Sequence, residues 1–137
     1  MPTFEARTVS VTIDRPWREV YEFASIPLNF QRWASGLGGS LKKVGDEWTA
    51  QGPAGPVRIR FSGQNEHGVL DHWVMPDEGG EIYIPLRVVQ NGTGAEVSLT
   101  LFRAEGRTDE EMVEDEDWVR RDLDALKSLL EKGTLDA

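Results

Sequence analysis

The sequence predicts an α+β fold in which a strongly curved antiparallel sheet of about seven strands wraps around a long C-terminal helix, with two short helices after the first strand. Three observations carry that prediction. Residues 108–132 keep one unbroken helical period. Residues 41–103 alternate with period two between short turns. The segment after the first strand holds two brief helical patterns.

The first strand is read over residues 3–13, where Val9, Val11 and Ile13 share a face opposite Thr8, Ser10 and Thr12. Asp14 caps a helix with Pro16 in its first turn. Trp17, Val20, Tyr21 and Ala24 form its apolar face, and Pro27 ends it. Leu28, Phe30 and Trp33 mark a second short helix, closed by the Gly/Ser run at residues 35–40. Strands follow at residues 41–44, 47–51, 56–62, 69–75, 81–90 and 95–103, and the short links between them make antiparallel neighbours. In the last hairpin, a four-residue loop from Asn91 to Gly94 sets Gln90 opposite Ala95. Ile82, Ile84, Leu86 and Val88 then share a face with Val97, Leu99 and Leu101, while Tyr83, Arg87, Glu96 and Thr100 take the other.

The final helix opens with a capping box, Thr108 and Glu111, and Asp109, Glu110 and Glu111 place negative charge where the helix dipole favours it. Met112, Val119, Leu123, Leu126 and Leu130 line one face, widened by Trp118, Ala125 and Leu129. Glu116 with Arg120, and Asp117 with Arg121, are spaced as i,i+4 pairs on a solvated face, and Gly133 fits the position after the helix. At 1.5 Å per residue the rod is about 37 Å long, and it needs a sheet to lie on.

Composition bounds the function. A chain of 137 residues suits one domain over residues 1–137, able to bury roughly two-thirds of its unfolded surface. The lack of cysteine removes disulfides, thiolate metal sites and cysteine nucleophiles, and suits a cytoplasmic location. No apolar run approaches membrane-spanning length, and the N-terminus lacks the apolar core of a signal peptide, so no membrane insertion is expected. With 15 basic and 24 acidic residues the net charge is −9, which argues against nucleic acid as a partner. No metal or cofactor is expected, because the two histidines stand apart and no ligand set converges. Residues 36–40 lack the Lys of a phosphate loop, Asn91-Gly92-Thr93 reads as a turn, and the acidic run at residues 114–117 reads as a solvated helix face.

Residues 67–73 hold both histidines. His67 lies in a turn, and Asp71 and His72 are adjacent on one strand, so they point to opposite faces and form no dyad with each other. Inward His72 travels with Leu70 and Val74; inward Asp71 travels with Val69, Trp73 and Met75. Burying a neutral imidazole costs less than burying a carboxylate, which favours His72 inward, while the loop at residues 76–80 leaves the choice open. His72 is either a structural histidine or a group able to act as acid or base near neutral pH. Arg87 is read as the surface partner of Glu96, with a ligand carboxylate as the alternative. Trp33, Trp48, Trp73 and Tyr83 are core aromatics or pocket walls.

The run VTIDRPWREVYEF at residues 11–23, Trp33, the run GVLDHWV at residues 68–74 and the helical residues 118–131 together resemble the START-like, or SRPBCC, superfamily, which includes polyketide cyclase/dehydrase-like proteins. The resemblance implies a helix-grip fold with a cavity between sheet and C-terminal helix that takes a small apolar or aromatic molecule, lipid- or polyketide-like, in a monomer or weak homodimer. Trp33, Asp71, His72, Trp73 and Tyr83 are the residues expected to bind it. Two other functions compete: a cyclase or dehydratase using His72 or Asp71, and a protein-interaction module of the chaperone-cofactor kind using the acidic helix. A filled interior favours the last.

Overall fold

Alternating apolar positions and three helical segments become the elements β1 (Ala6–Ile13), α1 (Trp17–Ala24), α2 (Pro27–Phe30), β2 (Lys42–Val44), β3 (Glu47–Gly52), β4 (Gly55–Phe61), β5 (His72–Pro76), β6 (Ile82–Ile84), β7 (Leu86–Asn91), β8 (Gly94–Phe102) and α3 (Asp109–Glu131). The computed structural model describes residues 3–35, 40–52 and 55–132. The loop at residues 36–39, Pro53 and Ala54 of the turn after β3, and Gly133 after α3 lie outside the described residues.

β1, β8 and β7 form a three-stranded antiparallel sheet, and β2 to β6 form a five-stranded one in sequence order. The expected single sheet of about seven strands is therefore divided. Pro85 has no N–H to donate, and the stretch 81–90 splits there into β6 and β7. The stretch 69–75 divides as well. Val69 bridges Arg87 and Leu70 N–H donates to the Leu86 carbonyl at 2.8 Å, whereas from His72 onwards the chain pairs with β4 and β6. The chain thus crosses from one sheet to the other at Leu70 and Asp71. Gly68 permits the approach: its φ is +71°, and a Cβ there would lie 2.1 Å from the Val88 carbonyl oxygen.

The last hairpin takes the expected register, with Gln90 opposite Ala95 and Val88 opposite Val97. Asn91 also pairs with Gly94, so the loop tightens to Gly92 and Thr93. α3 carries the expected capping box: Thr108 Oγ1 accepts from Glu111 N–H at 3.1 Å, and Glu111 Oε1 accepts from Thr108 N–H at 2.9 Å. Leu123, Leu126 and Leu130 pack with Val9 and Ile13 of β1 and with Val97 and Leu99 of β8. Arg15 Nε donates to the Leu130 carbonyl, which satisfies one of the acceptors a helix end leaves open. The i,i+4 pairs expected on α3 give way to other contacts. Because α3 lies along β1, Glu116 accepts from Arg7 at 2.6 Å, and Arg121 lies over the ring of Trp118, which stays partly exposed. Asp14 is not a cap; Pro16 takes that position, and Asp14 N–H donates to Glu131.

The core has two parts. The larger joins α1 and α3 to the three-stranded sheet, and the smaller gathers Leu41, Ala50 and Ile59 under the five-stranded sheet. Phe30 of α2 packs against both. No helix among the described residues is long and apolar enough to cross a membrane.

Candidate functional site

Where the chain changes sheets, alternation no longer decides which side chain is buried. Asp71 is 5 % exposed and His72 3 %, so both are buried, and the expectation that one of the two faces outward is corrected. The reason is the crossing at Asp71, which turns its carboxylate into the seam between β6 and β7. Asp71 Oδ1 accepts from Leu86 N–H at 2.9 Å and Arg87 Nε at 2.8 Å; Oδ2 accepts from the Tyr83 hydroxyl at 2.7 Å and Arg87 Nη2 at 2.8 Å. Those four bonds fill the acceptor capacity of a carboxylate. Burial pushes Asp71 up, but the Arg87 bonds, the Tyr83 hydroxyl and the Leu86 N–H outweigh it and hold the carboxyl at about 2. The same bond to Asp71 raises Tyr83 and Arg87 above their ordinary values. Arg87 therefore pairs with Asp71 across the seam, not with Glu96, which instead accepts from Thr12 and Asn91.

His72 does face inward, on the side of its strand that carries Phe61 and Ile84. Its ring lies 5.1 Å from Phe30 and 6.0 Å from Phe61, and its Nδ1 is 3.2 Å from the Leu70 carbonyl, a contact that fits a neutral ring protonated at Nδ1. Burial lowers the His72 pKa, against the smaller raising effects of the Leu70 carbonyl and Asp71. A lowered histidine means that the unfolded chain takes up its proton first as pH falls. Stability should therefore fall as pH drops below about 6.5. His72→Phe keeps an aromatic ring of similar size and should remove this loss. Urea unfolding at pH 7 and pH 5 tests it, and equal losses in variant and wild type would refute it.

Trp33 is buried edge-on against Phe30, with ring centroids 5.0 Å apart, and among the described residues its Nε1 has no hydrogen-bond partner. Trp73 and Tyr83 lie on the outer face of the five-stranded sheet, stacked at 5.4 Å with Arg60 over the Trp73 ring. The five expected site residues thus form two groups. Trp33 and His72 meet through Phe30 inside the fold; Asp71, Tyr83 and Trp73 form the seam and its outer side. Phe30 and Phe61 join the inner group, and the sequence signalled them only as apolar positions on a short helix and a strand.

The expected ligand cavity between sheet and α3 is not open. The void among Ala24, Phe30, Phe61, Leu70, His72 and Leu86 measures roughly 10 Å³, room for about one water. Phe30 fills the space, carried there by α2, with Trp33 packed against its ring. Outside it lies a cleft of about 590 Å³ lined by Trp48, Arg58, Arg60 and Met75, and this cleft shares Ser25, Phe61 and Ser62 with the inner void. Among the described residues, no three His, Asp or Glu side chains converge as a metal-ligand group.

No family model and no curated protein matches the sequence. Solved structures do match the fold. DynU16, a protein of the dynemicin biosynthetic locus, superposes with a TM-score of 0.71 at 17 % identity over 93 % of this chain; the match spans only 48 % of DynU16 itself. The Aha1 dimer from Colwellia psychrerythraea gives a TM-score of 0.72 at 15 % identity, covering 94 % of this chain and 98 % of that one. Ara h 8.0201 gives 0.61 at 9 % identity, covering 92 % and 97 %. The antiparallel sheets, the long C-terminal helix and these superpositions agree: the chain has a fold of the SRPBCC, or START-like, type.

Proposed function

We propose that this protein binds a small apolar or aromatic molecule, of lipid- or polyketide-like character, in the interior between the five-stranded sheet and α3. The observation that carries this reading is the aromatic enclosure of Trp33, Phe61 and His72 around Phe30, adjoining the 590 Å³ outer cleft. Trp33 and His72 would touch the bound molecule. Asp71, Tyr83 and Trp73 would act from the seam, by holding β5, β6 and β7 in place. The position of DynU16 in a biosynthetic locus fits a small-molecule role. A cyclase or dehydratase needs proton-transfer groups within reach of the substrate. His72 faces the interior, but Asp71 is ionised, saturated and turned into the seam, so binding is better supported than turnover.

Thermal melting against a panel of aromatic and lipid molecules tests the proposal. A ligand held at ~100 times its Kd should stabilise the fold by roughly 2.7 kcal/mol. His72→Phe separates two roles. An apolar container should keep that stabilisation, whereas a polar ligand oriented by the imidazole should lose it at constant protein stability. If nothing on the panel shifts the melting temperature, the interaction-module reading replaces this one. It is favoured by the filled interior and by Val113 and Trp118, which α3 leaves exposed on its acidic surface.

A further inference from the structure

The interior is closed by a side chain whose own element has little else to hold it. The Phe30 ring meets three aromatic neighbours edge-on: Trp33 at 5.0 Å and 82°, Phe61 at 5.4 Å and 78°, and His72 at 5.1 Å and 70°. Such T-shaped contacts are the favourable ones for aromatic rings. The rest of α2 contributes little. It is a single turn without a side-chain cap and without a buried residue, and Ile26 and Leu28 beside Phe30 are 48 % and 53 % exposed. Asn29 Nδ2 donating to the Phe23 carbonyl tethers this turn, and just beyond it Gln31 Oε1 accepts from Leu41 N–H at 3.0 Å and Arg32 lies over the Phe23 ring.

Two polar atoms on the rings around Phe30 have no partner among the described residues. Trp33 Nε1–H is buried with no acceptor among the described residues. His72 uses Nδ1 on the Leu70 carbonyl, and among the described residues its Nε2 makes no hydrogen bond. A neutral imidazole protonated at Nδ1 presents Nε2 as an acceptor. The enclosure therefore offers three aromatic walls, one unused donor and one unused acceptor. Phe30 satisfies the walls and neither polar atom.

We infer that Phe30 is a built-in occupant of the ligand site and α2 its lid, and that the ligand displacing it is a planar aromatic molecule bearing a hydroxyl group. This inference rests on the ligand-binding reading above and adds the gate and the ligand class. A hydroxyl oxygen accepts from Trp33 Nε1–H and its proton suits His72 Nε2, while the ring takes the place of Phe30 against Trp33, Phe61 and His72. The outer cleft, which shares Ser25, Phe61 and Ser62 with the inner void, receives the lid and admits the ligand. Because the closed state competes with the ligand, the apparent affinity of the wild type is reduced by the fraction of molecules that are open.

The probes are 2-naphthol and naphthalene, which differ by one hydroxyl group. In nitrogen–proton NMR spectra the indole N–H signal of Trp33, assigned by its loss in Trp33→Phe, should shift with 2-naphthol and move far less with naphthalene. In the wild type, 2-naphthol should speed hydrogen exchange of the Asn29 and Trp33 amides several-fold, while protecting β5 and β7. Phe30→Ala should bind 2-naphthol at least tenfold more tightly than the wild type. Should that variant fail to fold, Phe30→Leu should show the same trend with a smaller gain. Binding of 2-naphthol without faster exchange at α2, or with equal affinity in the Phe30 variants, overturns the lid and leaves ligand binding standing. Absence of binding by wild type and Phe30 variants alike, to these probes and to the wider panel, overturns both.

Discussion

Asp71→Ala should destabilise the protein by about 3 kcal/mol, the lower end of what removing one partner of a buried, hydrogen-bonded charge pair costs. The substitution strips four bonds at once and leaves Leu86 N–H buried without an acceptor. The lower end applies because the Arg87 side chain is 48 % exposed and can turn to water, whereas the Leu86 N–H cannot. The pH dependence gives a second, independent check. The carboxyl is held at about 2 in the fold against an ordinary value of 3.8. Its contribution is therefore fully present above the unfolded value and is lost as pH falls from about 4 to about 2. Wild type and Asp71→Ala should differ at pH 7 and converge near pH 2. A difference below ~0.5 kcal/mol at pH 7 in reversible urea unfolding would show that the seam does not depend on this carboxylate.

Leu123→Ala should cost ~2–5 kcal/mol, as truncation of a well-packed core leucine does. Leu123 is 1 % exposed and sits in the larger core with Leu126 and Leu130, against β1 and β8. Removing three side-chain carbons there leaves a hole that the three-stranded sheet and a long helix collapse into poorly. The upper half of the range is expected on that ground. Unlike the Asp71 effect, this loss should not vanish at low pH, since no ionisable group is involved. A cost below ~0.5 kcal/mol would place Leu123 on an ordinary surface and contradict the packing of α3.

The elements easiest to read were those whose burial follows a single local period. In α3 the positions of Met112, Leu123, Leu126 and Leu130 and the Thr108–Glu111 box were all present in the order of residues. The last hairpin was equally legible, because turn chemistry and alternation agreed on Gln90 opposite Ala95. Pro85 lies inside what alternation read as one strand over residues 81–90; its missing N–H divides that stretch and with it the sheet. The cost of desolvation favoured His72 inward over Asp71 without deciding between them, and the fold buries both.

By itself, the sequence determined the α+β layout, the register of its last hairpin and the buried face of its long helix, because each depends on neighbours a few residues apart. Only the tertiary structure decided three further things. It buried Asp71 alongside His72, because the chain crosses between sheets there and the crossing suspends alternation. It gave Arg87 to Asp71, 16 residues away in sequence, where hairpin register pointed to Glu96. It brought Phe30 against Trp33, Phe61 and His72 and so filled the space where a cavity was expected. All three are contacts between segments that no local period connects: strand pairing and helix packing set them, and a side chain's partner across such a gap is fixed by where the backbone goes.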